Sequence, residues 1–130
     1  LRGQLEALVK ELGIQEDEQL PGFNNNPYAY MKKASVFVLS SVLEGLPTVL
    51  IEAMALGTPV VSTDCKSGPK EILGNSGYGT LVPTENSEAL ATAIEKTINS
   101  PKQIIDQNKL KRYTSDEASN HYLRVAGFNV

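Results

Sequence analysis

Cysteine and histidine are each present once, as Cys65 and His121, and that scarcity excludes several chemistries. A lone cysteine cannot close an internal disulfide, and it fits a reducing compartment. A thiol nucleophile needs a base, yet the only histidine lies in a distant polar segment and reads as a surface residue. No Cys, His, Asp or Glu spacing suggests metal ligation, so neither metal nor cofactor is expected. No apolar run is long enough to span a bilayer, and no signal peptide is visible, although a chain starting at Leu1 says little about targeting. A net charge of -3 gives no footprint for nucleic acid or an anionic membrane. The short basic clusters Lys32-Lys33 and Lys109-Leu110-Lys111-Arg112 read as solvated helix faces.

What remains is an ordinary globular composition, 130 residues with 41% hydrophobic and 21% charged, enough for one domain or part of one. Leu5, Leu8, Val9 and Leu12 share a helical face that Gly13 ends. Gln19-Leu20-Pro21 is expected to close a short strand, and Asn24-Asn25-Asn26-Pro27 to turn into a helix over Tyr28 to Lys33. Apolar runs at Ser35 to Leu39 and Pro59 to Thr63 predict buried strands, and Tyr78 to Val82 predicts a strand ended by Pro83. Helices are expected after Gly68, over Asn86 to Ser100, from Pro101 to about Tyr113, and from the capping box Thr114-x-x-Glu117 to about Val125. Gly74-Asn75-Ser76-Gly77-Tyr78-Gly79 precedes a strand, not a helix, so it reads as a loop and not as a phosphate cradle. Strands alternating with helices through short loops indicate an α/β, Rossmann-like, doubly wound parallel sheet.

The most informative stretch is Ser40 to Gly57, which sets Glu44 and Glu52 in an otherwise uncharged, mostly apolar segment. Nothing cationic lies nearby in sequence. Thr48 to Leu56 reads as a helix, with Pro47 in its first turn and Gly57 at its C-terminal cap. If the helical phase extends back through Pro47, then Glu44, Thr48 and Glu52 form one stripe, facing either water or a ligand. The turn lies at the C-terminal end of a predicted parallel strand, where open α/β sheets bind ligands. Each carboxylate can accept hydrogen bonds from a sugar diol. The turn between them supplies amides at a helix N-terminus, a seat for a diphosphate; Gly45, Leu46 and Thr48 are the donors, and Pro47 has none. A nucleoside diphosphate sugar would fit this set.

At this point the chain resembles the retaining glycosyltransferases of family 4, which have the two-domain GT-B fold. The resemblance rests on Glu44, seven intervening residues and Glu52, within an ordered series that covers essentially the whole chain. That series is Pro21-Gly22-Phe23, Asn26-Pro27-Tyr28, Glu44-Gly45-Leu46-Pro47, Glu52-Ala53-Met54-Ala55, Gly57-Thr58-Pro59-Val60-Val61, Ser67-Gly68-Pro69 and Tyr78-Gly79-Thr80-Leu81-Val82-Pro83. It implies that Glu44 binds donor-sugar hydroxyls, that Glu52 binds the ribose, and that the amides of Gly45, Leu46 and Thr48 meet the diphosphate. Gly22, Phe23, Asn24 and Pro27 would border the base. The implied donor is a UDP-sugar, ahead of a GDP-sugar or ADP-sugar, and the reaction a retaining, metal-free transfer of a hexose or N-acetylhexosamine by a front-face route. Both glutamates would position the donor, and neither would be a nucleophile or general base.

The same resemblance implies that residues 1–130 are a C-terminal donor-binding domain lacking its first two strands, its cationic diphosphate clamp and the N-terminal acceptor domain. The Leu20 segment should then pair directly with Val36 to Leu39 or hang loosely, leaving an exposed apolar edge. Such a piece should bind but not transfer. The acceptor, a glycan, lipid-linked glycan or small molecule, would engage the absent domain, with the full protein cytoplasmic or peripheral at the inner membrane face. The alternatives are a non-catalytic sugar-nucleotide-sensing or assembly module, and a receiver-like domain, for which Asp64 lacks an acidic partner cluster.

Overall fold

The structure, a computed structural model, describes residues 1–74, 77–101 and 104–128. In chain order its helices are α1 (Arg2–Leu12), α2 (Pro27–Lys33), α3 (Thr48–Ala55), α4 (Pro69–Leu73), α5 (Ser87–Asn99), a 3-10 segment (Gln107–Tyr113) and α6 (Ser115–Val125). Its strands are β1 (Phe37–Leu39), β2 (Val60–Thr63) and β3 (Gly79–Val82), a parallel sheet in the order β1-β2-β3. Val38 stands opposite Val61, which stands opposite Thr80. Apart from the strand at Gln19-Leu20-Pro21 and the helix beyond Pro101, the predicted strands and helices recur at these places, the strands one or two residues shorter at their starts.

Strand alternation sends neighbouring residues of the sheet to opposite faces, and each face has its own core. Val60 joins Leu50, Ala53 and Met54 of α3, Ile72 and Leu73 of α4, and Ile105 and Leu110. Val61 and Val82 join Ala93 of α5, with Leu90 and Ile94 packed beside them. Two parallel crossovers running in one direction across the sheet set α3 and α4 on one face, and α5 returns over the other. This is the doubly wound arrangement the alternation predicts.

β2 is buried along its whole length, whereas every residue of β1 is only half-buried. Among the described residues no strand lies on the outer side of β1. The strand expected at Gln19-Leu20-Pro21 is therefore a correction, and of the two arrangements anticipated for that segment, pairing with β1 is the one not seen. A strand needs a partner ladder; instead the Leu20 carbonyl accepts a 2.7 Å hydrogen bond from Arg2 Nη2. An apolar depression of about 920 Å³ runs along the open edge, lined in part by Pro21, Pro27, Tyr30, Met31 and Phe37.

Helix ends follow their chemistry. Asn26, Asn86 and Thr114 cap α2, α5 and α6 by accepting from the N–H three residues on. The Thr114 box is half made: Glu117 reaches Arg124 at 3.8 Å, with no bond back to the Thr114 N–H among the described residues. At the end of α3, Gly57 has φ 77°, and the N–H groups of Gly57 and Thr58 bond to Met54 O and Ala53 O. That is a glycine-closed Schellman end, as the sequence predicts. Beyond Pro101 the expected helix is a 3-10 segment begun by Asp106, whose carboxylate accepts from Asn108 N–H. The loop expected at Gly74 to Gly79 includes Asn75 and Ser76, and the helix expected after Pro101 includes Lys102 and Gln103; these four lie outside the described residues. No helix is long and apolar enough to cross a membrane, among the described residues.

Candidate functional site

The C-terminal ends of β1 and β2 are bound together by side chains. Thr63, buried at the end of β2, donates to Ser41 O at 2.5 Å, beyond the end of β1. Leu43 forms an isolated parallel bridge with Lys66, so the loop after β1 runs alongside the loop after β2. Gly68 seals the contact: with φ 80° and ψ -77°, it lies so close that a Cβ there would fall 2.2 Å from Gly45 O and 2.5 Å from Pro47 Cδ. Only glycine fits both that dihedral and that space.

This packing fixes the turn that carries Glu44. Ser41 Oγ donates to Glu44 Oε1 at 2.6 Å, and Ser67 Oγ lies 3.1 Å from Glu44 O. The Ser67 hydroxyl gives its one proton to Lys66 O at 2.7 Å, so the bond that holds half-buried Glu44 is the one from Ser41. The three-residue helical stripe does not form, because Pro47 is the N-cap of α3 and not part of its first turn. At φ -75° and ψ 83°, Pro47 centres an inverse γ-turn in which Thr48 N–H donates to Leu46 O at 2.9 Å. Helical phase therefore relates Thr48 to Glu52 alone. Glu44 reaches this end of the sheet through the Ser41 bond and the Leu43 bridge to Lys66.

The γ-turn also redistributes the amides. Thr48 N–H, expected to face a diphosphate, is already engaged. Among the described residues Gly45, Leu46 and Val49 N–H donate to no acceptor, and the Thr48 hydroxyl has no partner. Val49 was missing from the sequence reading, although the first N–H groups of any helix lack internal partners. The carboxylate of Glu52, a half-buried residue in the middle of α3, has no hydrogen bond or ion pair to a described residue. An ionised carboxylate in that setting is left with unused acceptor capacity.

The residues expected to border a base form a separate loop. Gly22 has φ 76°, and a Cβ there would stand 3.6 Å from Arg2 Nη1. Phe23 is 92% exposed, Asn24 Oδ1 accepts from Asn26 N–H at 2.7 Å, and Pro27 opens α2. No hydrogen bond or ion pair among the described residues joins this loop to the Glu44 turn. Sequence reasoning also missed Ser41, which reaches Glu44 within its own loop, and Ser67 and Lys66, whose nearness to Glu44 arises from strand pairing. Lys66 and Lys70, neither in an ion pair with a described residue, line a depression of about 540 Å³ with Asp64, Ser67 and Glu71.

Cys65 lies just beyond the end of β2 and is buried, whereas His121 is exposed on α6, away from the strand ends. Two cations of the 109–112 cluster do more than face solvent: Lys109 Nζ lies 5.0 Å from the Tyr78 ring centre, and the Arg112 guanidinium 5.2 Å from that of Tyr113.

Comparisons with known proteins bear on the fold and the family. The family model for glycosyl transferases group 1 matches residues 2–117. A Campylobacter jejuni protein, N-acetylgalactosamine-N,N'-diacetylbacillosaminyl-diphospho-undecaprenol 4-alpha-N-acetylgalactosaminyltransferase, is 38% identical over 118 residues, covering 91% of this chain and 30% of its own length. Among solved structures, a sucrose-phosphate synthase from Thermosynechococcus elongatus superposes with TM-score 0.76 at 27% identity, over 97% of this chain and 34% of that one. HepE from Anabaena, solved in complex with UDP, superposes with TM-score 0.69 at 22% identity, over 91% and 36%, and shows the fold alone. The chain thus spans about a third or less of the length of the curated relatives it matches. It belongs to the group 1 glycosyltransferase family and has the α/β fold of a C-terminal domain of the GT-B type.

Proposed function

We propose that this chain binds a nucleoside diphosphate sugar as the donor domain of a retaining glycosyltransferase of family 4. The observation that carries the reading is the arrangement around the start of α3: unengaged amides of Gly45, Leu46 and Val49 between a tethered Glu44 and an unpartnered, half-buried Glu52. A diphosphate is the group that such amides stabilise, and hydroxyl pairs are what the flanking carboxylates accept. In this reading Glu44 takes donor-sugar hydroxyls, Glu52 takes the ribose, and the Thr48 hydroxyl supplements the amides. Gly22, Phe23, Asn24 and Pro27 border the base. The donor is a UDP-sugar, and no metal is assigned.

Both glutamates position and neither is assigned as nucleophile. Their contribution is pre-organisation: the reacting sugar is held against a turn whose geometry is set before it arrives. The transferred group is a hexose or N-acetylhexosamine, in keeping with the acetylgalactosamine transfer named for the Campylobacter relative. From the same name we take the acceptor to be a lipid-linked glycan, engaged through a further domain, so that these 130 residues bind donor but do not turn it over. Association with the inner membrane face belongs to that larger assembly.

Titration of UDP, GDP and ADP into the isotopically labelled chain tests this reading. UDP should bind most tightly and shift the amide signals of Gly45, Leu46 and Val49. Equal or absent binding of all three, or shifts confined to residues away from the start of α3, would overturn it. A sugar-nucleotide sensor would share the binding, and is distinguished by a parent protein whose function survives Glu44→Ala.

A further inference from the structure

The same strand ends contain two residues that the donor reading leaves without a task. Thr63 is 4% exposed and its hydroxyl has a single proton, given to Ser41 O at 2.5 Å in preference to Leu39 O at 3.4 Å. That bond joins the end of the central strand to the main chain of Ser41. Ser41 in turn gives its own hydroxyl proton to Glu44 Oε1 at 2.6 Å. A buried group is thereby connected, in two steps, to a carboxylate at the rim.

We infer that Ser41 is a positioning residue for Glu44, with Thr63 holding Ser41 in place; the inference rests on the reading of Glu44 as the group that receives the donor sugar. A glutamate side chain has three torsions to fix, and an exposed one samples several rotamers. The Ser41 bond occupies one carboxylate oxygen and orients the other, Oε2, as the open acceptor for a sugar hydroxyl. Charge assistance makes this bond stronger than a neutral one. Its short spacing in sequence, three residues, lets the tether form within the loop, while Thr63 supplies the anchor from the sheet. Sugar recognition then depends on a residue that itself touches no ligand.

Two readouts test this on the intact chain. Three-bond couplings of the Glu44 side chain should report one rotamer in the wild type, rotamer averaging in Ser41→Ala, and one rotamer again in Ser41→Thr, which keeps the hydroxyl. In parallel, UDP and a panel of UDP-glucose, UDP-galactose and their N-acetylated counterparts are titrated into the three proteins. For the panel member bound best, Ser41→Ala should lose roughly tenfold in affinity, as expected for a hydrogen bond to a charged group, while UDP itself stays within about twofold. Ser41→Thr should restore the sugar contribution. A single Glu44 rotamer in Ser41→Ala, or an undiminished sugar contribution, would overturn the inference. If the wild type binds none of these nucleotides, the donor reading fails and the role given to Ser41 fails with it, whereas UDP binding that survives every Ser41 variant leaves that reading standing.

Discussion

The unit from β1 to the 3-10 segment and the two outlying helices, α1 and α6, obey the same helix rules yet differ in packing. α3 buries Leu50, Ala53 and Met54, whereas neither α1 nor α6 has a buried residue. Leu5, Leu8 and Leu12 of α1 are 41%, 47% and 60% exposed despite their helical spacing. Periodicity therefore tells which residues share a face, and says nothing about what that face meets. The Glu44 and Glu52 part of the candidate site belongs to the packed unit, where two loops and a buried helix restrain each other, whereas the loop of Gly22, Phe23, Asn24 and Pro27 lies before it. Pre-organised recognition needs that restraint, and the outer helices do not supply it.

Four substitutions test this contrast. The largest effect is expected from Gly68→Ala, which adds both a disfavoured backbone geometry and a collision with Gly45 O and Pro47 Cδ. A loss of about 4 kcal/mol in thermal or denaturant unfolding is expected, together with displaced amide signals for Gly45 and Leu46. Wild-type stability there would show that the two loops are not locked together. Leu50→Ala, in the core between α3 and the sheet, should cost about 3 kcal/mol by the same measurement. Thr114→Ala removes the cap of α6 and should cost about 1 kcal/mol, read as faster hydrogen exchange in α6 with β2 unaffected. Smallest of all, Leu8→Ala on the exposed face of α1 should change stability by less than about 0.5 kcal/mol. A cost near that of Leu50→Ala would erase the distinction between the packed unit and its outlying helices.

Much of the packed unit was legible in the sequence because its signals are local. Pro59 to Thr63 is a short apolar run between turn residues, and Gly57 closes α3 at the place its left-handed geometry requires. The expectation at Gln19-Leu20-Pro21 failed because a strand exists only with a partner, which three residues cannot reveal about themselves. Pro47 tolerates both the cap and the first turn, so its sequence position did not distinguish a helical stripe from a γ-turn. Glu44 and Glu52 were visible as unpaired carboxylates in an apolar run. Ser41's orientation, the Leu43 bridge to Lys66 and the Gly68 contact depend on how two strands align, and that register is a property of the folded sheet.

The central claim is a division of labour, with Glu52 at the nucleotide and Glu44 at the sugar. Calorimetric titration of UDP and of the best-bound UDP-sugar into wild type, Glu52→Ala and Glu44→Ala tests it most directly. With labour so divided, Glu52→Ala weakens both ligands alike, while Glu44→Ala weakens only the UDP-sugar and leaves UDP unchanged. Equal losses for both ligands in Glu44→Ala, or unchanged UDP binding in Glu52→Ala, would contradict it.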